Sequence, residues 1–173
     1  MNYFILFRLP IFYSISNNLI RSRFQDLQRK FHPDRFYYQL EKERLIALKT
    51  TLILNKAYSI LKDPLKRAEY ILSLFNIDYH HKKNTIFDNI FLHTQIELFD
   101  EFDSIKNKKN MENSLIKFNI KLNNIIKQNN IIMIQSLNNK QWEKAYNSLY
   151  KLRFLKKLQQ KTEKFKEKLL NFN

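Results

Sequence analysis

The chain has 173 residues and contains no glycine, an absence that restricts its possible folds more than any other feature of the sequence. Tight hairpin turns and phosphate-binding loops depend on glycine, because a residue without a Cβ adopts their backbone conformations at little cost. The remaining strong interruptions are three prolines, at positions 10, 33 and 64. We therefore predict an all-α protein, without a P-loop, a dinucleotide-binding fingerprint or a nucleophile elbow.

Cysteine is also absent, which excludes disulfide scaffolds, thiolate metal sites and cysteine nucleophiles. Hydrophobic residues make up 44% of the chain, enough for one or two packed domains rather than a disordered chain. The segment 1–10 has a single charge, Arg8, and lacks the basic start and small-residue cleavage site of a secretory signal. We expect a cytoplasmic protein with no membrane partner.

The net charge of +15, from 31 basic and 16 acidic residues, is typical of nucleic-acid-binding proteins. However, the charge is spread evenly, with a net +7 in residues 1–75 (13 basic, 6 acidic) and +8 in residues 76–173 (18 basic, 10 acidic). The 23 lysines accompany 20 asparagines and 20 isoleucines, a set that A/T-rich codons favour together. We expect no nucleic-acid partner, and keep a basic helical nucleic-acid-binding protein as the alternative.

Apolar spacing predicts four helices in the first half of the chain. A short helix within residues 2–9 ends before Pro10, and a second begins near Ser16 or Asn17. A third runs from about 39 to 61 and packs antiparallel to the second. Asp63 and Pro64 form the start of a fourth, which Asn76 ends. The apolar face of the second is predicted to contain Ile20, Phe24, Leu27 and Phe31, and that of the third Leu45, Leu48, Leu52, Tyr58 and Leu61.

The polar segment 78–85 predicts a boundary between two domains. Beyond it, the spacing of apolar residues predicts three further helices, at about 86–106, 111–135 and 140–170, with Asn139 as the N-cap of the last. Residues His80, His81 and His93 do not have the spacing of a metal site. We expect no metal, no cofactor and no catalytic pocket, so the protein is not predicted to be an enzyme.

Two constellations stand out from this background. His32, Pro33 and Asp34 fall between the second and third helices, after a helix that carries Arg23, Arg29 and Lys30. Separately, residues 84–105 contain no lysine or arginine and five acids. If this segment is helical, Phe91, Leu98, Phe102 and Ile105 share the core face, while Leu92, Ile96 and Asp100 form a second stripe flanked by His93 and Glu97. That stripe predicts a docking surface; the alternative is a wider core face.

The His-Pro-Asp motif in this setting resembles the J-domain of DnaK-type chaperone partners, over roughly residues 2–75. The segments 24–36 (FQDLQRKFHPDRF), 55–58 (NKAY) and 63–72 (DPLKRAEYIL) are similar to the HscB subfamily. The similarity continues through residues 152–155 (LRFL) near the other end of the chain. The resemblance implies a J-domain at 1–75, a linker at 76–85 and a three-helix scaffold-binding domain at 86–173.

The resemblance also implies a function: the protein binds the iron–sulfur scaffold IscU and delivers it to the DnaK-type chaperone HscA, stimulating its ATPase. The implied chaperone-binding residues are His32, Pro33, Asp34, Arg23, Arg29, Lys30 and Arg35. The implied scaffold-binding residues are Leu92, His93, Ile96, Glu97, Asp100 and Phe154. At position 93, histidine stands where the family pattern has methionine. The alternative, a J-domain protein with another client, would share the chaperone-binding residues but not the scaffold-binding residues.

Overall fold

The structure is a computed structural model, and it describes residues 1–36, 38, 40–77, 89–107 and 109–171. Within these ranges every regular element is helical and no β-strand occurs, so the predicted all-α class is confirmed. The chain forms two compact units, residues 1–77 and 78–173. Residues 78–85 of the predicted linker lie outside the described residues.

The N-terminal unit contains α1 (Tyr3–Leu6), α2 (Asn17–Phe31), a 3₁₀ helix (Pro33–Phe36), α3 (Glu41–Lys62) and α4 (Pro64–Leu74). The predicted start signals operate as expected. The Ser16 side chain accepts a hydrogen bond from the Leu19 amide, and Asp63 accepts one from Lys66, with Pro64 in the first turn of α4. Each cap satisfies a backbone amide that the helix itself leaves without a partner.

Helices α2 and α3 are antiparallel, as predicted. Near the end of α2, the Thr51 Oγ1 donates a hydrogen bond to the Phe31 carbonyl at 3.0 Å. In the middle of α2, the Phe24 ring stacks on Tyr58 with 4.1 Å between centroids. The later residue of α2, Phe31, contacts the earlier residue of α3, Thr51, and the earlier residue, Phe24, contacts the later one, Tyr58. The two helices therefore run in opposite directions.

The predicted core face of α3 is wrong in its first half. Leu45, Leu48 and Leu52 are 50%, 48% and 62% exposed. The buried residues of the helix are Ala47, Leu54, Ala57 and Leu61. The small alanine side chains allow neighbouring helices to approach closely, so the face with two alanines and two leucines packs inward.

Arg67 of α4 is the main buried cation of the N-terminal unit, with 4% of its surface exposed. Its guanidinium donates to the carbonyls of Leu61 (2.6 Å), Tyr13 (2.9 Å) and Ile15 (3.1 Å), and to the Asn17 side-chain oxygen (2.6 Å). Burial lowers the pKa of this guanidinium, against the opposing effect of Tyr13 and Asp63. These bonds hold the segment before α2 against α4.

The C-terminal unit is a three-helix bundle of α5 (Asn89–Ile105), α6 (Met111–Asn138) and α7 (Trp142–Asn171). Helices α5 and α6 are antiparallel, because Phe102 stacks on Phe118 and the earlier Glu101 pairs with the later Lys121 at 2.6 Å. A turn of three residues then reverses the chain into α7. The buried core includes Leu98, Leu115, Phe118, Leu122, Met133, Ala145, Leu149, Leu152 and Leu155.

Three helices end with a residue at positive φ: Arg8 (53°), Asn76 (57°) and Lys140 (55°). In each case the next residue donates its amide to the carbonyl five positions earlier, as in Leu9 to Phe4 at 2.8 Å, which is the Schellman arrangement. The predicted role of Asn76 is confirmed. The predicted role of Asn139 is wrong: it is the C-cap of α6, because Lys140 reverses the chain before α7 begins.

Candidate functional site

The His32–Asp34 segment lies in the loop between α2 and α3. His32 has extended dihedral angles (φ −62°, ψ 129°), as the following proline requires, and ends α2. Pro33 begins the 3₁₀ helix, where the Arg35 amide donates to the His32 carbonyl at 3.0 Å. The side chains of His32 and Asp34 are 54% and 88% exposed. The motif is therefore an exposed epitope.

The imidazole of His32 faces Asp34 through one nitrogen. The Asp34 amide donates to His32 Nδ1 at 3.3 Å, and a carboxylate oxygen of Asp34 lies 3.4 Å from the same nitrogen. Nδ1 accepts the amide hydrogen only in the neutral ring, and donates to the carboxylate only when it is protonated. The amide hydrogen bond orients the imidazole relative to the backbone of Asp34.

One hydrogen bond ties the loop to α2, and a second joins the end of α2 to α3. Arg35 Nη1 donates to the Arg29 carbonyl at 3.0 Å, and Thr51 donates to the Phe31 carbonyl. Both acceptors are in the last turn of α2, where carbonyls have no partner within the helix. The loop is thus tied to α2, whose end is fixed on α3, so a partner meets a largely preformed surface.

The predicted cations extend along the exposed side of α2. Arg23, Arg29 and Lys30 are exposed, and Arg35 follows in the 3₁₀ helix. The first three line a cleft between the end of α1 and α2, together with Arg8 and Asp26. Sequence reasoning did not assign Arg8 to this surface, although Arg8 is the only charged residue before position 21.

A second cleft, of about 500 Å³, lies beside the motif. It is lined by Pro33, Asp34, Glu41, Arg44, Leu45 and Leu48. The two leucines belong to the face of α3 that was predicted to enter the core. The position of these leucines next to the motif was not predicted. The available signal for the buried face of α3 was the pair of alanines, Ala47 and Ala57. Ala47 lies four residues before Thr51, and Ala57 lies three residues after Leu54.

On α5 the two predicted faces are separated as expected. Phe91, Leu98, Phe102 and Ile105 are all buried. On the other side of the helix, Leu92 is 51% and Ile96 50% exposed. His93, Glu97 and Asp100 are exposed as well. The structure thus brings apolar and acidic side chains onto one face of α5, and the alternative of a wider core face is not what the helix adopts.

Phe154 on α7 is half-buried and meets α5 edge-on. Its ring centroid lies 5.8 Å from that of Phe91 and 5.3 Å from that of Phe99, in both cases at nearly a right angle. Because Phe91 and Phe99 are about two helical turns apart in the row beside Leu92 and Ile96, Phe154 borders the exposed stripe. Phe99 was not among the predicted site residues.

The described residues contain no group of three or more metal-ligating side chains that could hold an ion. His80 and His81 fall outside the described part of the chain. None of the described helices combines the length and the apolar character that crossing a membrane requires.

The whole chain resembles known chaperone structures. It matches the chaperone HscB from Vibrio cholerae with a TM-score of 0.87 and 36% identity, over 98% of this chain and 99% of that one. It matches the human co-chaperone HscB with a TM-score of 0.84 and 23% identity, over 96% of this chain and 82% of that one. No protein-family model matches the sequence. At 36% identity over almost its full length, together with the exposed His32–Asp34 loop, the chain belongs to the HscB family of co-chaperones.

Proposed function

We propose that this protein is a co-chaperone of iron–sulfur cluster assembly that binds an IscU-type scaffold and presents it to a DnaK-type chaperone of the HscA type. In this proposal, residues 1–75 are a J-domain that stimulates ATP hydrolysis, and residues 86–173 bind the scaffold. The observation that carries it is the exposed, anchored His32–Asp34 loop in a chain with full-length similarity to an HscB structure.

The N-terminal surface has the chemistry of a docking site for an acidic partner. The loop offers an Asp34 carboxylate that is 88% exposed; Arg35 ties the loop to α2, and Thr51 fixes the end of α2 on α3. The cations of α2 attract an acidic surface and orient it during encounter, which raises the association rate more than the final affinity. We assign orientation to the cations, and the coupling to ATP hydrolysis to His32, Pro33 and Asp34.

The C-terminal surface suits a partner with apolar and basic groups. Leu92 and Ile96 expose apolar area, Glu97 and Asp100 add negative charge, and Phe154 contributes an aromatic edge. Apolar and aromatic anchors surrounded by polar groups are the common composition of protein-binding hot spots. His93 takes part in this surface with a polar ring.

Both surfaces belong to one chain, so a scaffold bound at the second surface is held near a chaperone bound at the first. The linkage raises the effective concentration of the scaffold at the chaperone without any additional contact. The scaffold therefore increases the stimulation in the proposed mechanism.

The test is single-turnover ATP hydrolysis by the HscA-type chaperone, with and without the scaffold, comparing the natural protein with Asp34→Asn. We expect stimulation that the scaffold increases and that Asp34→Asn abolishes, since the carboxylate is lost while the side-chain size is kept. Asp63→Asn is the matched control, because asparagine also caps a helix and position 63 lies outside the loop.

Other outcomes point elsewhere. Stimulation that depends on Asp34 but ignores the scaffold would indicate a J-domain protein with another client. Equal stimulation by the natural protein and a folded Asp34→Asn variant would contradict the assigned role of the loop. No stimulation by the natural protein would contradict the co-chaperone proposal for that chaperone.

A further inference from the structure

A cleft of about 310 Å³ lies between the end of α1 and the exposed side of α2. Its apolar part comes from α1 and from Leu27 of α2. Its charged lining residues are Arg8, Arg23, Asp26, Arg29 and Lys30. Four cations and one carboxylate give this lining a net charge of +3.

The single carboxylate of the lining leaves most of this positive charge uncompensated. Within the described part of residues 1–77, no carboxylate lies within salt-bridge distance of Arg8, Arg23 or Arg29. Like charges around a concave surface with apolar walls raise the positive potential inside it. The cleft therefore favours a carboxylate from outside the chain, with room for the carbon atoms of an acidic side chain.

Arg8 reaches this cleft from a strained backbone position. It is the residue after the C-cap of α1, with φ of 53°, where glycine is the usual choice. Lys140 occupies the equivalent position after α6 and does not line the cleft. The positive φ by itself therefore does not mark a binding residue. It does allow a substitution that separates the effect of charge from that of backbone conformation, because glycine removes the charge and favours the positive φ.

We propose that Arg8 is an additional binding residue for the ATP-hydrolysing chaperone, and that an acidic side chain of this partner enters the cleft between α1 and α2. The inference rests on the proposed function, and extends the chaperone-binding surface from α2 to the segment before Pro10. At 1.5 Å of rise per residue, Arg23 lies roughly 14 Å along α2 from His32. A protein–protein interface of ordinary size spans that distance, so one partner contacts both.

The experiment measures how much co-chaperone half-maximally stimulates single-turnover ATP hydrolysis, for the natural protein, Arg8→Gly, Arg8→Asn and Arg8→Lys. Lys140→Gly is the matched control, because it makes the same backbone change away from the cleft. We expect Arg8→Gly and Arg8→Asn to raise the half-maximal concentration about three- to fivefold, the typical effect of one partly exposed ion pair. Arg8→Lys and Lys140→Gly stay close to the natural protein.

Two further readouts distinguish binding from folding. The melting temperature of Arg8→Gly is expected to equal or exceed that of the natural protein, so weaker binding cannot come from lost structure. The difference in half-maximal concentration should shrink as salt rises from about 0.05 M to about 0.5 M, because counterions screen the ion pair.

Equal half-maximal concentrations for Arg8→Gly and the natural protein, with stimulation still dependent on Asp34, would overturn the role of Arg8 and leave the proposed function in place. Equal losses in Arg8→Lys and Arg8→Gly would also overturn it, since the charge would then be irrelevant. A natural protein that fails to stimulate the chaperone at all would overturn the proposed function, and this inference with it.

Discussion

Single residues take over the work of glycine in this chain. Arg8, Asn76 and Lys140 all adopt positive φ so that α1, α4 and α6 can end in Schellman turns. For a residue with a Cβ this conformation costs about 1–2 kcal/mol, less for asparagine than for lysine or arginine. The turn is kept because its backbone hydrogen bonds satisfy carbonyls that the helix end would otherwise leave exposed.

Replacing Lys140 with glycine should stabilise the C-terminal unit. We expect the free energy of unfolding to rise by about 0.5–1 kcal/mol, as relief of the strained φ exceeds the added flexibility of the unfolded chain. Urea denaturation followed by fluorescence measures it, because Trp142 is the only tryptophan and lies in this unit. Lys157→Gly, on an exposed position in the middle of α7, should instead lower stability by about 1 kcal/mol. If Lys140→Gly does not raise the free energy of unfolding, the turn at position 140 is not strained.

At the scale of the element, α3 shows how spacing can indicate a helix without indicating its buried side. Leu45, Leu48 and Leu52 recur with helical period and were expected inside. The alanine side is buried because it permits a close approach of neighbouring helices. The leucines at 45 and 48 then lie beside the His32–Asp34 loop.

Two substitutions on α3 distinguish its sides. Ala57→Leu adds volume at a fully buried position and should lower the free energy of unfolding by about 1–3 kcal/mol. Leu52→Ala removes more atoms, but from a side chain that is 62% exposed, and should change it by at most about 0.5 kcal/mol. Thermal unfolding followed by circular dichroism compares them. The reverse order would place the leucine side in the core.

The exposed stripe of α5 and the aromatic edge of α7 should act together in scaffold binding. We expect Leu92→Ala combined with Phe154→Ala to weaken scaffold affinity about 10- to 100-fold, since two apolar anchors are removed. Isothermal titration with the IscU-type scaffold measures the affinity, and basal chaperone stimulation through Asp34 should persist. Ile116→Ala, at a 47% exposed isoleucine of α6, serves as control. Loss of both activities in the double variant, with its helicity intact, would argue against separate sites.

For the whole molecule, the net charge of +15 raises the question of a nucleic-acid partner. The structure has a cationic cleft on α2 and an acidic stripe on α5. The first surface suits an acidic protein partner and the second a basic one. The net positive charge of the chain still attracts any polyanion weakly.

We expect fluorescence anisotropy with a DNA or RNA duplex at physiological salt to show only non-specific binding, with Kd above about 1 μM and a loss of affinity as salt rises. The physical reason is that the cations are spread almost evenly along the sequence, with a net charge of +7 in residues 1–75 and +8 in residues 76–173. Submicromolar binding at that salt would favour the nucleic-acid-binding alternative.

The sequence alone was sufficient to predict the helices, their starts at Ser16 and Asp63, and the end at Asn76. It was also sufficient to predict the antiparallel pair α2 and α3 and the loop with His32 and Asp34. Each depends on side chains acting within a few residues of the backbone they cap or interrupt, so the signal is present in the chain itself. The two faces of α5 were also evident, because charge and apolar character divide cleanly around that helix.

Only the tertiary structure decided which side of α3 is buried, that Asn139 ends α6 instead of starting α7, and that Arg8 lines a cleft with the cations of α2. These outcomes depend on how closely helices approach and on which distant segments meet. The close packing of Ala47 and Ala57 and the hydrogen bonds of buried Arg67 arise between residues far apart in sequence, where periodicity carries no information.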